Sequence, residues 1–350
     1  EERDPATMQR LQLGYPRFLY HPLVQQAFDL HSRDGGAAQI YTTSRAAERC
    51  RDYLLRRNPD ARVELEDNVI RFPAECAEDA KDYWQHAGEG ISSRRAEALL
   101  TNAPDPDPSE ALDSVVARLA EFTGALPGNI YLFPSGMAAI HAAFLAVQEL
   151  LPGHPTVQFA FPYGDTLKLQ NRLGTRGALF YPCGRADELQ ALEQELKQTE
   201  VAGLFCEFPT NPLLTCVDLP KLRGLADRHG FPIILDETLG ACINQNTLLY
   251  SDVSVISLTK FFSGTCDVMG GALIVNAEAP FAGRFTEQLK RIHEPGALYP
   301  ADLQQLELNS RDCRERVERI NRNAMEVCDV LNGHPAVERV YYPACTDRAA

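Results

Sequence analysis

The sequence predicts an α/β fold with a mostly parallel central sheet covered by helices on both faces. From Gly128 onwards, short apolar runs typical of buried strands alternate with helical patterns, as in βαβ units. A chain of 350 residues, 45% of them hydrophobic, can also bury a large core and form more than one domain. The predicted strands span residues 129–133, 156–161, 178–181, 203–207, 232–235 and 252–258.

Residues 1–105 are predicted to form an N-terminal arm and a helical segment. Residues 1–30 lack clear periodicity and carry aromatic side chains among prolines, which predicts an arm that lies on another surface, such as a second subunit. Thr43 or Ser44 could cap a helix that follows them. The regular elements predicted here are a helix within residues 37–57, a strand at 62–72 and a helix at 74–90 that breaks at its glycines.

Residues 106–300 are predicted to form a large domain that contains the sheet. A proline-rich linker at 101–110 precedes it, and its helix at 137–151 is apolar on almost every side, which predicts burial. Its other predicted helices lie at 111–122, 185–198 and 219–229.

Residues 301–350 are predicted to form a linking helix and the start of a smaller C-terminal domain. Residues 302–331 have a helical pattern, and residues 337–342 are typical of a first strand. Because the chain starts without Met and stops at Ala350, we expect a trimmed or partly ordered protein that lacks the remainder of this domain.

The charge balance excludes some classes of partner. A formal net charge of -14 argues against nucleic-acid and anionic-membrane surfaces, because neutralising phosphates requires clustered Lys and Arg. A small anionic ligand needs only a few N–H groups and a cation, so it is not excluded. No apolar run approaches a membrane span, and the N-terminus is charged, so we expect neither a signal peptide nor a transmembrane helix.

The ten cysteines are scattered singly, without a CxxC pair or a zinc-ligand spacing. We therefore predict no metal site, free thiols, and a reducing compartment such as the cytoplasm.

A lysine at the end of one predicted strand is the first candidate for chemistry. The strand at 252–258 leads to Ser257, Thr259 and Lys260, and glycines follow. A lysine beside two hydroxyls, where glycines let the backbone approach a ligand, can form a Schiff base with an aldehyde cofactor. Taken alone, such a lysine is more often a solvated loop residue.

Other strand ends supply complementary groups. Gly136 and Met137 begin the buried helix and could bind an anion, although many such helix starts bind nothing. Asp236 ends an apolar strand, where it either serves a site or caps a loop. Tyr163 could stack on a flat ring or simply pack, and Asn211 follows another strand in a proline-fixed turn.

Together these groups meet the needs of one cofactor, pyridoxal 5′-phosphate (PLP). PLP requires a lysine for its aldehyde, an anion site for its phosphate, a carboxylate for its pyridinium nitrogen and a flat group over its ring. The sequence supplies Lys260, the helix start at Gly136, Asp236 and Tyr163. The combination therefore predicts a PLP site.

Four motifs then mark a resemblance to a known family. The sequence resembles the Cys/Met-metabolism class of fold-type I PLP-dependent transferases, the cystathionine γ-synthase group, and is most similar to its fungal members. The resemblance covers about residues 88–343. It is carried by SGMAA (135–139), FPTNPLL (208–214), LDET (235–238) and SLTKFFSGTCDVMGG (257–271).

The resemblance implies a role for each candidate residue. Lys260 would be the Schiff-base lysine and proton shuttle, Asp236 would bind the pyridine nitrogen, and Tyr163 would stack on the ring. Asn211 would lie near the cofactor's phenolic oxygen and the substrate carboxylate. The implied phosphate ligands are Gly136, Met137, Ser257 and Thr259.

Two departures from the family pattern stand out. The family's YxR segment, which reaches the phosphate of the neighbouring subunit, corresponds here to Ser92, Ser93 and Arg94, so a serine replaces the usual tyrosine. The arginine that clamps the substrate's α-carboxylate in the family lies beyond Ala350. The resemblance also implies a homo-oligomer, a dimer or tetramer with shared active sites, that acts on small amino acids.

The implied reaction is γ-replacement on an O-acyl-L-homoserine, with L-cysteine as nucleophile and cystathionine as product. One alternative keeps γ-replacement but uses a carbon or other nucleophile in specialised metabolism. Another alternative is a non-catalytic paralogue that serves as a binding subunit. This alternative is suggested by Ser92 in place of tyrosine and by the missing C-terminal part.

Overall fold

A computed structural model describes residues 18–33 and 35–345. Residues 1–17 of the predicted arm lie outside the described residues. Within the remainder of the arm, helix α1 (Pro22–His31) forms where we expected no periodicity. Pro22 occupies its first turn, His21 Nδ1 accepts the Leu23 N–H at 3.2 Å, and Val24, Ala27 and Phe28 are buried at helical spacing.

A small antiparallel sheet follows, in the order β1 (Ala37–Ile40), β3 (Val69–Phe72), β2 (Glu64–Glu66). The single strand expected at 62–72 is therefore a hairpin. Helix α2 (Ser44–Arg57) begins at Thr43, whose hydroxyl accepts the Ala46 N–H at 3.2 Å, so Thr43 is the cap. Helices α3 (Ala77–Ala87) and α4 (Ser93–Thr101) complete this N-terminal unit.

The main sheet has seven strands and confirms the predicted α/β class. Strands β5 to β9 are parallel to one another, whereas β10 runs antiparallel to β4 and β9. The spatial order is β4 (Ile130–Phe133), β10 (Gly271–Val275), β9 (Val253–Ser257), β8 (Ile233–Asp236), β7 (Gly203–Glu207), β5 (Thr156–Phe159), β6 (Ala178–Tyr181).

Helices cover both faces of this sheet. The predicted buried helix is α6 (Gly136–Leu150), and it packs with Phe205, Val255 and Leu273 in one hydrophobic core. Burying each such large apolar side chain contributes about 1.5–3 kcal/mol. The helices that cover the sheet with it are α5 (Ser109–Thr123), α7 (Gly164–Leu173), α8 (Ala186–Glu195), α9 (Leu219–His229), α10 (Ala282–Ile292) and α11 (Pro300–Asn309).

A buried charged cluster joins the N-terminal unit to α6. Glu89 forms an ion pair with Arg49 and lies 3.5 Å from Nδ1 of His141, which is on α6. Burial opposes ionisation of Glu89, but the charge of Arg49, with a contribution from His141, lowers its pKa to about 2. The carboxylate therefore remains charged and holds the two parts together.

The C-terminal prediction is corrected in two respects. The expected helix at 302–331 is two helices, because the chain breaks after α11 and resumes as α12 (Cys313–Asn332). Ser310 at the break is buried and its hydroxyl accepts an N–H of Arg118 at 2.6 Å. Residues 337–342 belong to neither sheet, so the strand expected there lacks the hydrogen-bonded neighbour that a strand requires.

All ten cysteines are free thiols. Within residues 18–33 and 35–345, no helix has the length and apolar character needed to cross a bilayer. The same residues contain no cluster of His, Cys, Asp and Glu that could hold a metal ion.

Candidate active site

A cavity of about 310 Å³ lies at the carboxyl ends of β7, β8 and β9. This is where parallel sheets bind their ligands. Thr259 and Arg94 are the two predicted site residues that do not line it. Those that line it are Gly136, Met137, Tyr163, Asn211, Asp236, Ser257 and Lys260.

Lys260 reaches the cavity from a π-helical turn, Leu258–Phe262, that directly follows β9. Its backbone angles within that turn are not helical, with φ -85° and ψ -114°. Thr259 is buried instead, and its hydroxyl oxygen accepts the Gly270 N–H at 3.1 Å. The abrupt change of direction after the strand therefore turns adjacent side chains to different surroundings.

The start of α6 forms another side of the cavity. Ser135 caps the helix, since its hydroxyl oxygen accepts the Ala138 N–H at 3.1 Å and its O–H donates to the Gly88 carbonyl oxygen at 2.8 Å. A Cβ on Gly136 would lie 2.7 Å from Cβ of Ser257, so only glycine allows this close approach. The first N–H groups of a helix lack acceptors within it, and with the helix dipole they favour an anion.

Asp236 ends β8 and lies partly buried at the cavity. Burial raises its pKa, although hydrogen bonds from Thr238 act in the opposite direction. The N–H and hydroxyl of Thr238 donate to Asp236 Oδ1 at 3.0 and 2.6 Å. The Thr238 hydroxyl oxygen in turn accepts the Ser257 N–H at 2.9 Å, which links the ends of β8 and β9.

Glu207 lies beside Asp236, because the two residues are register partners in β7 and β8. Its Oε2 accepts the Tyr163 N–H at 2.6 Å, and its Oε1 accepts the Asn211 N–H at 3.0 Å. Burial and then the charge of Asp236 raise the pKa of Glu207 to about 8. The two neighbouring carboxyl groups, one buried and one partly buried, thus both resist ionisation.

Glu207 and Thr238 are the two polar residues of the cavity lining that our selection of candidates missed. Both were visible as polar residues at strand ends, Glu207 before FPTNPLL and Thr238 within LDET. Their contacts depend on residues distant in sequence, namely Tyr163 and Ser257.

The donor set of the cavity fits PLP. The raised pKa of Asp236 shows a carboxyl that would gain from a nearby cation, and a protonated pyridine nitrogen is such a cation. The start of α6 offers N–H groups to a phosphate, and Lys260 offers an amine in the same cavity. Tyr163 adds a partly exposed aromatic ring.

Two family models match the sequence. One, described as the Cys/Met metabolism PLP-dependent enzyme, matches residues 108–349, and the other, the fungal trans-sulfuration enzyme N-terminal domain, matches residues 21–92. The chain belongs to the Cys/Met metabolism PLP-dependent enzyme family. The family uses PLP, so both the family and the cofactor inferred from the sequence are confirmed.

Relatives within the family differ in activity. A cystathionine gamma-synthase of Neurospora crassa is 30% identical, covering 100% of this chain and 78% of the relative. A cystathionine gamma-synthase-like enzyme of Amanita muscaria is 29% identical, and the match covers 94% of this chain and 72% of the relative. An L-2-amino-4-chloropent-4-enoate dechlorinase/desaturase of Streptantibioticus cattleyicolor is 32% identical, covering 98% and 72%. Family membership alone therefore does not define the reaction.

A solved family structure confirms the fold type. The crystal structure of cystathionine gamma-lyase from Lactobacillus plantarum, complexed with L-serine, matches with a TM-score of 0.57 and 27% identity. The match covers 68% of this chain and 61% of that chain, so the chain spans less than two thirds of the solved structure. The predicted fold type I, with its mostly parallel sheet, is confirmed.

Arg94, for which the resemblance implies a place in the family's YxR segment, does not line the cavity of its own chain. Its guanidinium donates to Asp302 Oδ1 at 3.1 Å and to the Asp267 carbonyl oxygen at 2.9 Å. Ser92 caps α4 by accepting the Arg95 N–H at 3.1 Å, a contact that a tyrosine hydroxyl could not make from this position. The contact of Arg94 with a neighbouring subunit's phosphate stays a prediction.

Proposed function

We propose that this protein is a PLP-dependent transferase that carries out γ-replacement on an O-acyl-L-homoserine, with L-cysteine as nucleophile and cystathionine as product. The observation that carries the proposal is the single cavity that unites Lys260, Asp236 and the start of α6. The Neurospora crassa relative, matched along the whole chain, supports the choice of reaction.

Each residue of the cavity has a part in holding the cofactor. Lys260 Nζ would bond to the aldehyde, Asp236 would pair with the pyridine nitrogen, and Tyr163 would cover the ring. Asn211 would lie near the cofactor's phenolic oxygen and the substrate carboxylate. The phosphate would be held by Gly136, Met137 and Ser257; Thr259, the fourth phosphate ligand that the resemblance implies, lies outside the cavity, where its hydroxyl accepts the Gly270 N–H. PLP supplies an electron-withdrawing ring that stabilises negative charge at the substrate's α-carbon.

The chain's own groups then position the substrate and move protons. Lys260 Nζ, which the substrate's amine would displace from the cofactor, would accept a proton from the α-carbon and then one from the β-carbon, and would later return a proton to each. The acyl group would leave the γ-carbon as a carboxylate, and the thiol of cysteine would lose its proton as its sulfur forms a bond with that carbon. Thr238 fixes Asp236 throughout by its two hydrogen bonds.

A second candidate is γ-replacement with a carbon or other nucleophile in specialised metabolism. The dechlorinase/desaturase and the synthase-like enzyme of Amanita muscaria favour it, because relatives of similar identity carry different names. Elimination without replacement is a competing outcome of the same chemistry. A non-catalytic binding subunit remains the alternative for a chain that fails to bind PLP.

We further propose that the protein acts in the cytoplasm as a homodimer or homotetramer on small amino acids, without nucleic-acid or membrane partners. Ten free thiols support a reducing compartment, and the net charge of -14 disfavours polyanionic surfaces. Arg94, outside its own cavity, would complete the site of a neighbouring subunit.

The deciding experiment is a product-mass assay. The full-length protein with PLP would be incubated with O-acetyl-L-homoserine and a panel of nucleophiles that includes L-cysteine. Cystathionine formation that is lost in Lys260→Ala and kept in Lys290→Ala, which changes an exposed lysine on α10, would support the proposal. A product from another nucleophile alone would favour the second candidate. Absence of any PLP absorbance band would contradict both.

A further inference from the structure

We propose that Glu207 is a positioning residue that holds two cofactor-contacting loops at fixed places beside Asp236. The inference rests on the proposed function, because it concerns how the cavity is shaped for PLP. Its basis is the pair of main-chain N–H groups that donate to the two oxygens of the Glu207 carboxyl group, from Tyr163 at 2.6 Å and from Asn211 at 3.0 Å.

The two loops that donate these hydrogen bonds follow different strands of the sheet. Tyr163 precedes α7, after β5, whereas Asn211 follows β7. The Tyr163 side chain does not cap α7, and the Glu207 oxygen accepts the Tyr163 N–H next to that helix start. Glu207 itself is anchored in the sheet, where its backbone pairs with Asp236. A rigid strand therefore sets the distance between both loops and the carboxylate predicted to bind the ring nitrogen.

The burial of Glu207 supports a role in positioning the two loops rather than in packing alone. Its exposed fraction is 7%, and Asp236 is its neighbour, so ionisation of Glu207 is disfavoured on both counts. A buried apolar residue would avoid that cost but could accept neither N–H group. A carboxyl group is needed because it has a separate oxygen for each of the two N–H groups.

Glu207→Gln is the sharpest change. Glutamine has nearly the same shape, but it presents one oxygen and one NH₂ group, so one of the two loop N–H groups must lose its acceptor. Glu237→Gln is the matched control. Glu237 is also buried, directly follows Asp236, and accepts the Thr247 hydroxyl at 2.6 Å, but its side chain does not line the cavity.

The first readout needs no cofactor. In the wild-type apo protein, the amides of Tyr163 and Asn211 should exchange hydrogen slowly, although both lie in loops. In Glu207→Gln, exchange should accelerate at residues 160–164 and 208–214, but not in the core strands. Glu237→Gln should leave both loops unchanged. Even if Glu207→Gln folds poorly, the exchange rates in the wild type test whether the two loop amides are held in hydrogen bonds.

The second readout is the PLP dissociation constant, measured by absorbance titration of both variants and the wild type. We expect Glu207→Gln to weaken PLP binding at least tenfold, which corresponds to about 1.4 kcal/mol, and Glu237→Gln to bind as the wild type does. Fast exchange of both loop amides in the wild type, or wild-type affinity in Glu207→Gln, would overturn the inference. A wild type that binds no PLP would instead overturn the proposed function.

Discussion

The close approach of Gly136 to Ser257 gives a prediction whose size follows from geometry. In Gly136→Ala, the new Cβ would lie 2.7 Å from Cβ and 3.0 Å from Cα of Ser257. Neither atom can swing away as the end of a flexible side chain could, so the start of α6 must move from the end of β9. Such overpacking costs about 1–3 kcal/mol.

The proposed phosphate site lies between the two elements that Gly136→Ala separates. If the full cost appears in cofactor binding, the PLP dissociation constant rises by about 5- to 150-fold. Absorbance titration measures that constant, and thermal unfolding of the apo protein measures the part of the cost that affects stability.

Gly128→Ala is the matched control, because a Cβ at Gly128 would meet no atom within 4 Å. Gly128→Ala should change neither the PLP dissociation constant nor the unfolding temperature of the apo protein. If Gly136→Ala bound PLP as tightly as the wild type and unfolded at the same temperature, the argument from close approach would be wrong.

Three further predictions test other parts of the structure. Because the pKa of Glu207 is raised to about 8, the folded apo protein holds a proton that the unfolded chain releases. The thermal stability of the apo protein should therefore fall as the pH rises from 5 to about 8. In Glu207→Gln this fall should be less steep. Ser135→Ala should lower the free energy of unfolding by about 1 kcal/mol in chemical denaturation, because α6 loses its cap. The control is Ser109→Ala, an exposed serine that does not cap its helix, and it should have a smaller effect. If Arg94 completes a neighbouring subunit's site, mixing inactive Arg94→Ala and Lys260→Ala proteins should restore part of the activity; no recovery in verified mixed oligomers would contradict shared sites.

Much of the fold and site could be predicted because the signals were local. The buried helix α6 is apolar on almost every side. Lys260 follows β9 and Asp236 ends β8, and the apolar composition of both strands indicates that they are buried. The carboxyl ends of parallel strands meet at one edge, so residues far apart in sequence could be assigned to one cavity.

What the sequence did not reveal depends on distant partners. Strand β10 was not recognised, because its antiparallel place between β4 and β9 follows from pairing rather than from its own pattern. The break at Ser310 is stabilised by Arg118, and the role of Glu207 depends on the N–H of Tyr163. In each case, the contact joins segments that are far apart along the chain, so the local sequence pattern of neither segment predicts it.

The hydrogen bond from Ser135 to the Gly88 carbonyl has a consequence for how this protein can be divided. Gly88 belongs to the N-terminal unit, yet it completes the cap of the helix that starts at the cofactor cavity, and Glu89 beside it is fixed near His141. The N-terminal unit is therefore not a detachable module. A fragment that begins at residue 108 would retain the match to the Cys/Met metabolism PLP-dependent enzyme model and every cavity-lining residue, but it would lose the main-chain oxygen that orients the Ser135 hydroxyl. Shortened versions for engineering should therefore keep the chain from α1 onwards.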